Sequence, residues 1–368
     1  MITNDEYITE YITSRGLSQK TYNTLKSVIN HYCKFQEATI YDLITEADND
    51  EENGVRWKRR KLKTRLTNYM NHLRTTMDIN SAKTYFSMIK TFYQHHEIEI
   101  GKLPNWNLRN SMTYEPITYA DLPDTEIIRN AVNMSRPLMK SIIMFLASSG
   151  MSKVDMRTLT IQSFIDSTTH YHHADNIIDA VNMLSGYDGE IIPVWKHRRS
   201  KTNKYFITFN TGEATRQILN YLQIRLEHQT VKPTDKLFPI NEHYFTRKFE
   251  ELNDAMGLGK VGAYNRFRGH MLRKFHATQL AKAGMDKYTV NVLQGKSNGR
   301  VNDVYFFEDA DQLKNEYLKY YHGLLIFTTV EKVDSPEVAQ IKNENKMLRG
   351  ELDDLKNDID RIKKWWKF

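Results

Sequence analysis

Apolar residues recur at helical spacing through the first hundred residues of the chain. One series follows Ser18 and consists of Tyr22, Leu25, Ile29, Tyr32 and Phe35. Side chains three and four residues apart share one face of an α-helix, so this series predicts an amphipathic helix. Two further series, over 62–73 and 85–93, repeat the spacing. The acidic stretch 46–54 is predicted to be a loop, and residues 1–105 as a whole are predicted to form a helical domain.

The periodicity stops after this helical region. Prolines at positions 104, 116 and 123 interrupt the pattern, and we interpret residues 106–124 as a linker. Beyond the linker, the apolar segment 141–148 predicts a helix. That helix is predicted to end at Ser149-Gly150, because glycine suits the residue that terminates a helix.

The remainder of the chain up to residue 327 mixes short helices with one strand pair. A helix is predicted over 153–159, and two short strands over 190–195 and 204–209 are joined by a basic turn. The predicted fold class is therefore α+β, mainly α with a small antiparallel β-sheet, and the second domain is predicted to span 125–327.

A seven-residue repeat runs through the C-terminal residues 336–368. Its a positions hold Val338, Asn345, Leu352, Ile359 and Trp366, and its d positions hold Ile341, Leu348, Leu355 and Ile362. Such a repeat is typical of a coiled coil, and a polar residue at one a position can fix its register. We expect this tail to self-associate as a coiled-coil helix. The alternative is a single helix that packs on its own domain.

Composition narrows the class of protein. The 368 residues are 40% hydrophobic and include 21 Tyr and 16 Phe, which is too much core-forming material for a mainly disordered chain. No apolar run approaches the roughly 18 residues of a membrane span, and the polar start does not resemble a signal peptide. The single cysteine, Cys33, excludes an intramolecular disulfide and a CxxC metal site. We therefore expect a cytoplasmic protein with no membrane partner.

Positive charge is concentrated in clusters along the chain. The net charge is +7, and seven of the eleven residues from 55 to 65 are basic with no acid among them: Arg56, Lys58, Arg59, Arg60, Lys61, Lys63 and Arg65. This run predicts a helix that follows a phosphate backbone; the alternative is a solvated charged face. A second cluster, 196–204, contains Arg199 and Lys204, which we also expect to contact nucleic acid.

The most specific pattern lies between residues 270 and 305. His270 and Arg273 share a helix face, Leu293-Gln294-Gly295-Lys296 follows, and Tyr305 lies nine residues after Lys296. Over roughly residues 10–325 the chain resembles the tyrosine recombinases of the phage-integrase family. Their signature is H-x-x-R, then L-G-H, then a nucleophilic tyrosine about nine residues later. Ser148 to Met151, Arg199-x-Lys201-Thr202 and the L-Q-G-K variant are most similar to the archaeal viral and proviral branch.

The resemblance implies a chemistry that suits these residues. Tyr305 would attack a DNA phosphate and form a 3′-phosphotyrosyl link. The planar fork of Arg273 can hold two phosphoryl oxygens, and His270 can donate to the phosphate or take the tyrosine proton. Lys296 would add a donor. The resemblance assigns to Lys201 the protonation of the departing 5′ oxygen, with Lys196 and Lys204 as alternatives. No metal or cofactor is expected.

Two positions depart from the family pattern. The first arginine normally stands in T-G-[LM]-R-x-x-E, but here Ser152 occupies its position. We favour Arg157 as the replacement and keep Lys153 as an alternative; a register shift or a true loss of the arginine also remains open. The second departure is Lys296, where His or Trp is more usual, and a lysine still supplies a donor.

The same resemblance implies the partners. They are double-stranded DNA attachment sites and other copies of the chain, as a tetramer on DNA and as a dimer or monomer without it. In this scheme residues 1–105 are the helical core-binding DNA-binding domain and 125–327 are the catalytic domain. Two alternatives stay open. One is a DNA-binding relative that has lost catalysis and acts as an accessory or regulatory factor, and the other is a type IB topoisomerase.

Overall fold

The computed structural model describes residues 4–106, 117–296 and 309–328. The pattern of Cα proximity divides the chain into two compact units, residues 1–116 and 117–368. Tyr305 and the predicted coiled coil at 336–368 lie outside the described residues.

The first unit is built from five described α-helices. They are α1 (Asn4–Ser14), α2 (Gln19–Gln36), α3 (Ile40–Glu52), α4 (Lys61–Thr76) and α5 (Ile79–His95). The periodic apolar residues form the core of this unit, with Leu25, Ile29 and Leu66 fully buried. Helix α2 begins after Ser18, whose side chain accepts a hydrogen bond from the Thr21 amide. The helical spacing in the sequence therefore identified the faces that pack.

The acidic stretch 46–54, predicted to be a loop, is mostly helix, and that prediction is wrong. Helix α3 extends to Glu52 and starts with a capping box between Thr39 and Asp42. Glu46 lies 2.7 Å from Arg65, and Glu51 lies 3.1 Å from Arg60. Acids near a helix C-terminus are unfavourable for the helix alone. The ion pairs with the following basic segment offset this cost.

The second unit has ten described α-helices and four short strands. The helices are α6 (Thr125–Asn133), α7 (Pro137–Ser149), α8 (Lys153–Met156), α9 (Ile161–Ser167), α10 (Ile177–Ser185), α11 (Gly212–His228), α12 (Glu242–Ala255), α13 (Gly269–Ala283), α14 (Lys287–Leu293) and α15 (Ala310–Tyr320). The strands are β1 (Val194–Arg198), β2 (Tyr205–Phe209), β3 (Lys260–Val261) and β4 (Tyr264–Asn265), paired antiparallel as β1–β2 and β3–β4. The predicted fold class, mainly α with small antiparallel sheets, is confirmed.

Helix α7 runs through the core of the second unit. Nearly all its side chains are buried, and it packs against α11 and α13. The Phe145 ring meets the buried Trp195 ring of β1 edge-on, with centroids 5.1 Å apart. The helix ends at Gly150, whose φ of 61° lies in the left-handed region that glycine adopts most easily. This end brings a main-chain carbonyl to the site described below.

The β1–β2 hairpin is shifted relative to the predicted strands. Strand β1 begins at Val194 rather than at residue 190, and Val194 pairs with Phe209. Pro193 has no N–H to donate, which accounts for a start after it. The basic residues 199–204 form the turn, as the sequence indicated.

Residues 117–124, the described end of the predicted linker, pack within the second unit. Tyr119–Asp121 form a 3-10 turn, and the Arg266 Nη2 group donates to the Ala120 carbonyl over 2.7 Å. The Lys282 ammonium lies 4.2 Å from the centroid of the Tyr119 ring. Among the described helices, none is both long and apolar enough to cross a membrane.

Candidate active site

Arg273 joins three segments of the second unit. It lies on the first turns of α13, and its side chain is buried, with 7% of the residue exposed. Its Nη1 donates to the Gly150 carbonyl over 2.7 Å, and its Nη2 donates to the Gln294 carbonyl over 2.6 Å. The guanidinium is therefore fixed between the end of α7 and the end of α14. Its partners are neutral carbonyls, so these bonds fix its orientation without cancelling its charge.

Three consecutive carbonyls beyond α14 hold three cationic side chains, and we call them the carbonyl row. The Gln294 carbonyl accepts from Arg273 as described, the Gly295 carbonyl accepts from Arg199 Nη1 over 3.0 Å, and the Lys296 carbonyl accepts from Lys204 Nζ over 3.3 Å. The C-terminal end of a helix carries partial negative charge, which favours cations there. The row thus brings Arg273 of α13 next to cations of the β1–β2 turn.

Asp155 fastens the β1–β2 turn to the segment after α7. Its carboxylate is buried; Oδ1 accepts from the Ser200 amide over 2.8 Å, and Oδ2 accepts from Ser152 Oγ over 2.7 Å. Arg199 Nε lies 3.9 Å from Oδ2. Asp155 was not among the residues predicted from the sequence, although it stands three residues after Ser152, at the acid position of the R-x-x-E pattern. That spacing was the signal that could have found it.

One cleft of the second unit, about 410 Å³ in volume, brings together three predicted site residues. His270, Arg273 and Lys296 line it, together with other residues of α13 and residues 117–122. Within the described part of the chain, no group of three or more His, Cys, Asp or Glu residues is arranged to hold a metal ion.

Positive charges crowd this cleft and lower one another's pKa. Burial, and then the neighbouring charge of Arg199, lower the pKa of Arg273 to about 10. Burial followed by the charges of Arg273 and Arg199 lowers the pKa of Lys296. Desolvation followed by the charges of nearby lysines and arginines lowers the pKa of His270. Cations that repel one another in this way favour an anion between them, so the cleft is suited to a phosphate.

His276 and Gln294 form a buried polar layer behind Arg273. The Gln294 side-chain amide donates to the Arg273 carbonyl over 2.9 Å and lies 3.1 Å from His276 Nδ1. Burial, and then the charges of Arg273 and Lys296, lower the pKa of His276 to about 3, so this ring is neutral at pH 7. A Cβ at Gly150 would lie 2.5 Å from His276 Nδ1, so only glycine fits there. No sequence signal identified this layer.

The other predicted catalytic residues lie elsewhere. Lys201 is exposed in the β1–β2 turn and does not line the cleft. Arg157 Nε donates to the Ile240 carbonyl over 3.2 Å, and its Nη1 lies 3.6 Å from Glu242. Lys153 Nζ lies 2.8 Å from the same carboxylate. The structure thus groups Arg273, His270, Lys296 and Arg199, and it does not bring Arg157 into that group.

The basic segment 56–65 of the first unit is not the single helix that was predicted. Trp57–Arg59 form a 3-10 turn, and α4 starts at Lys61. The run contains no acid of its own, but Arg60, Lys61 and Arg65 have carboxylate partners on the preceding helix α3. Within the described residues, the other four basic side chains of this run have no ion-pair partner: Arg56, Lys58, Arg59 and Lys63. Arg56, Lys58 and Arg59 are exposed.

The mainly helical fold with a cationic cleft is consistent with a DNA-processing protein, and comparison with known families identifies the family. The phage integrase family model matches residues 125–311, just over half of the chain, and the chain belongs to this family. It is similar to the tyrosine recombinase XerA of Saccharolobus solfataricus, with 29% identity over 122 residues. That match covers 33% of this chain and 38% of the relative, so it spans less than two fifths of the curated relative's length.

Several solved structures are also similar to the chain. A XerA recombinase matches with 16% identity and a TM-score of 0.36 over 86% of this chain and 97% of that one. The Tn1549 transposon integrase in complex with transposon right end DNA matches with 12% identity and a TM-score of 0.49 over 86% and 99%. A lambda integrase tetramer bound to a Holliday junction matches with 16% identity and a TM-score of 0.47 over 84% and 80%.

Proposed function

We propose that this chain is a site-specific DNA recombinase that cuts and rejoins DNA through a 3′-phosphotyrosyl link on Tyr305. The observation that carries the proposal is the cleft in which His270, Arg273 and Lys296 converge, with no carboxylate among its lining residues in the described part of the chain. Family membership and the similarity to a tyrosine recombinase support the same reaction class.

The reaction begins when a DNA phosphate enters the cleft. Each Nη group of Arg273 keeps one N–H beyond its bond to a carbonyl, and these can bind the non-bridging oxygens. The Tyr305 oxygen attacks phosphorus, and the bond from phosphorus to the 5′ oxygen breaks. The fixed cations stabilise the charge that develops on the phosphoryl oxygens.

Two proton transfers complete this step. The proton of Tyr305 passes to His270, whose lowered pKa leaves the ring neutral and able to accept it at pH 7. The departing 5′ oxygen receives a proton from Lys201, the exposed lysine of the β1–β2 turn. In rejoining, a 5′ hydroxyl of the partner strand attacks the phosphotyrosyl bond, so no external energy source is required. Arg157 is retained as a candidate for the missing first arginine.

The proposed partners are double-stranded DNA attachment sites and other copies of this chain. The exposed basic residues near α4 would bind DNA phosphates in the first unit. Four copies on two DNA sites would exchange both strands, with residues 309–327 docking on a neighbour. We place coiled-coil self-association in residues 336–368. If this is right, deletion of these residues weakens concentration-dependent association in sedimentation velocity, whereas an unchanged association constant contradicts it.

The decisive test uses nicked suicide duplexes drawn from DNA that flanks the gene. The wild-type chain is expected to form a protein–DNA adduct that survives SDS, and Tyr305→Phe is expected to form none. Tyr320→Phe is the matched control, because its hydroxyl makes no hydrogen bond within the described residues, and it should form the adduct normally. An adduct that persists in Tyr305→Phe would show that this nucleophile is wrong.

A second candidate function is favoured by Ser152, which stands where the family has its first arginine. In that case the chain is a DNA-binding accessory or regulatory factor without catalysis. It would bind flanking DNA tightly, with strong salt dependence, and form no adduct on any segment. Adducts on arbitrary duplexes, with relaxation of supercoils, would instead indicate a type IB topoisomerase.

A further inference from the structure

We propose that Arg199 supplies the second phosphate-binding guanidinium of the site, in the role that Ser152 leaves unfilled. The inference rests on the proposed recombinase function. It makes Arg199 a catalytic residue that contacts the scissile phosphate, rather than a contact to the DNA backbone elsewhere. Three features of the structure carry it: the placement of Arg199, its link to Asp155, and the engagement of the competing cations.

The carbonyl row places Arg199 beside Arg273. The two guanidinium groups donate to consecutive carbonyls, those of Gln294 and Gly295, over 2.6 and 3.0 Å. Arg199 is close enough for its charge to act on both Arg273 and Lys296. Its Nη2 group has no hydrogen-bond partner among the described residues, and its side chain is 20% exposed. A phosphate bound by Arg273 would therefore find a second, adjacent donor group.

Asp155 connects the segment after α7, which has Ser152 in place of an arginine, to the β1–β2 turn, which carries Arg199. The carboxylate binds the Ser152 hydroxyl and the Ser200 amide, over 2.7 and 2.8 Å, and it lies 3.9 Å from Arg199. The segment after α7 thus holds the β1–β2 turn through one buried acid. The arginine enters from the turn of the hairpin instead of from position 152.

The two cations nearest to Ser152 in sequence are engaged by another carboxylate. Lys153 and Arg157 lie 2.8 and 3.6 Å from the oxygens of Glu242. Ion pairing of this kind reduces the charge that either can offer to a phosphate. Arg199 is 3.9 Å from its acid, and that acid is shared with Ser152 and Ser200.

Substitution of Arg199 tests the role directly, with Arg198 as the matched control. Arg198 is the exposed neighbour in β1, and its side chain bonds only to the Asn203 carbonyl in the described structure. Arg199→Ala should slow adduct formation on the suicide duplex by about 100-fold or more, the usual loss when one transition-state donor is removed. Arg198→Ala should stay within about threefold of wild type. Binding of intact duplex by Arg199→Ala should weaken far less than cleavage.

A neutral substrate separates phosphate binding from a merely structural role. A methylphosphonate at the scissile position replaces one charged oxygen with a methyl group, so a cation that neutralises that charge is no longer needed. On this substrate the rate of Arg199→Ala should approach the wild-type rate measured on the same substrate. If the deficit persists, Arg199 only positions the hairpin and the proposal is wrong.

The remaining outcomes distinguish this inference from the proposed function. If the wild-type chain forms no adduct on any flanking duplex, the recombinase proposal itself fails. If wild type forms the adduct and Arg199→Ala keeps it within about threefold, while Arg157→Ala or Lys153→Ala loses it, the recombinase proposal stands. In that case the second cation is the lost residue, and the assignment of Arg199 is overturned.

Discussion

At the scale of single residues, the site depends on a buried charge that is oriented without being neutralised. Arg273 is only 7% exposed, and in the described structure its hydrogen bonds go to the carbonyls of Gly150 and Gln294. A carboxylate in direct contact would have satisfied the guanidinium and competed with phosphate. Neutral acceptors fix the same geometry and leave the positive charge for a ligand.

The buried ring of His276 predicts a loss of stability in mild acid. Folding lowers its pKa from the ordinary value near 6.5 to about 3, so between these values the unfolded chain binds a proton that the folded chain does not. Linkage then predicts that the free energy of unfolding falls by about 2 kcal/mol between pH 7 and pH 5. Urea denaturation across this range should show that extra fall relative to His276→Gln. Parallel curves for the two proteins would contradict the prediction.

Spacing in the sequence selected three candidate site residues that the structure places together. His270, Arg273 and Lys296 were selected in this way, and they do share one cleft. Asp155 could have been found from its position three residues after Ser152, but its bond to the Ser200 amide and the close approach of His276 to Gly150 join segments that are distant in sequence. Local periodicity contains no record of such contacts.

At the scale of elements, the β1–β2 hairpin is positioned by a connection outside its own strands. The strand pair was predicted on either side of the basic turn, but its first residue was misplaced because Pro193 cannot donate to the ladder. Asp155 and the carbonyl row fix where the turn lies. The orientation of the turn therefore could not be predicted from the strands alone.

Removal of this connection should cost more than removal of an ordinary helix cap. Asp155→Ala leaves the Ser200 amide and Arg199 without their acid, and should lower the free energy of unfolding by about 3 kcal/mol. Asp124→Ala removes an exposed cap from α6 and should cost about 1 kcal/mol. Equilibrium denaturation of the two variants measures both values. Equal losses would mean that Asp155 contributes no more to stability than an ordinary helix cap.

The basic segment after the acidic helix α3 contains two kinds of basic residue, those paired with α3 and those that are unpaired within the described residues. Glu46 and Glu51 pair with Arg65 and Arg60, which stabilises the unit, and the exposed bases beside these pairs are the ones that we propose to bind DNA phosphates. The basic cluster was predicted from the sequence, but the sequence could not show which of its bases are paired. Their partners, Glu46 and Glu51, lie in the stretch that was interpreted as a loop.

If the exposed bases of this segment bind DNA phosphates, they contribute to the salt dependence of DNA affinity. Each phosphate contact contributes about 0.9 to the slope of log K against log salt concentration, so Lys58→Gln with Arg59→Gln should reduce the slope by about 2. Lys20→Gln with Lys83→Gln removes the same charge from exposed positions outside the segment and should change the slope little. Fluorescence anisotropy at several salt concentrations gives both slopes. The assignment is wrong if the two double variants behave alike.

At the scale of the whole molecule, the described residues form two buried clusters that share no residue. The buried cluster of the first unit ends at Ile98, and that of the second begins at Ile128. The helical and α+β patterns of the sequence anticipated two such regions, because each contains its own amphipathic faces. Because the two cores are separate, we expect a destabilising substitution in one core to lower the stability of that unit only.

A cavity in the first core tests this confinement. Leu66 is fully buried in α4, and Leu66→Ala should cost about 3 kcal/mol. Native-state hydrogen exchange should then show lower protection for amides of α2 and α4 and unchanged protection for α7. A matching loss in α7 would mean that the two units unfold as one.

The carbonyl row has a consequence for how the sequence of the site can diverge. Its acceptors belong to the main chain, so substitution of the Gln294 or Lys296 side chain leaves the oxygens that hold the cations in place. Gly295 is the exception, because its φ is 62° and a Cβ there would lie 2.8 Å from the Phe206 ring. For holding these cations in place, the stretch after α14 therefore requires only its glycine, whereas the side chains of Lys296 and Gln294 act in the cleft and in the buried layer behind Arg273. An insertion or deletion there would displace Arg273, Arg199 and Lys204 together.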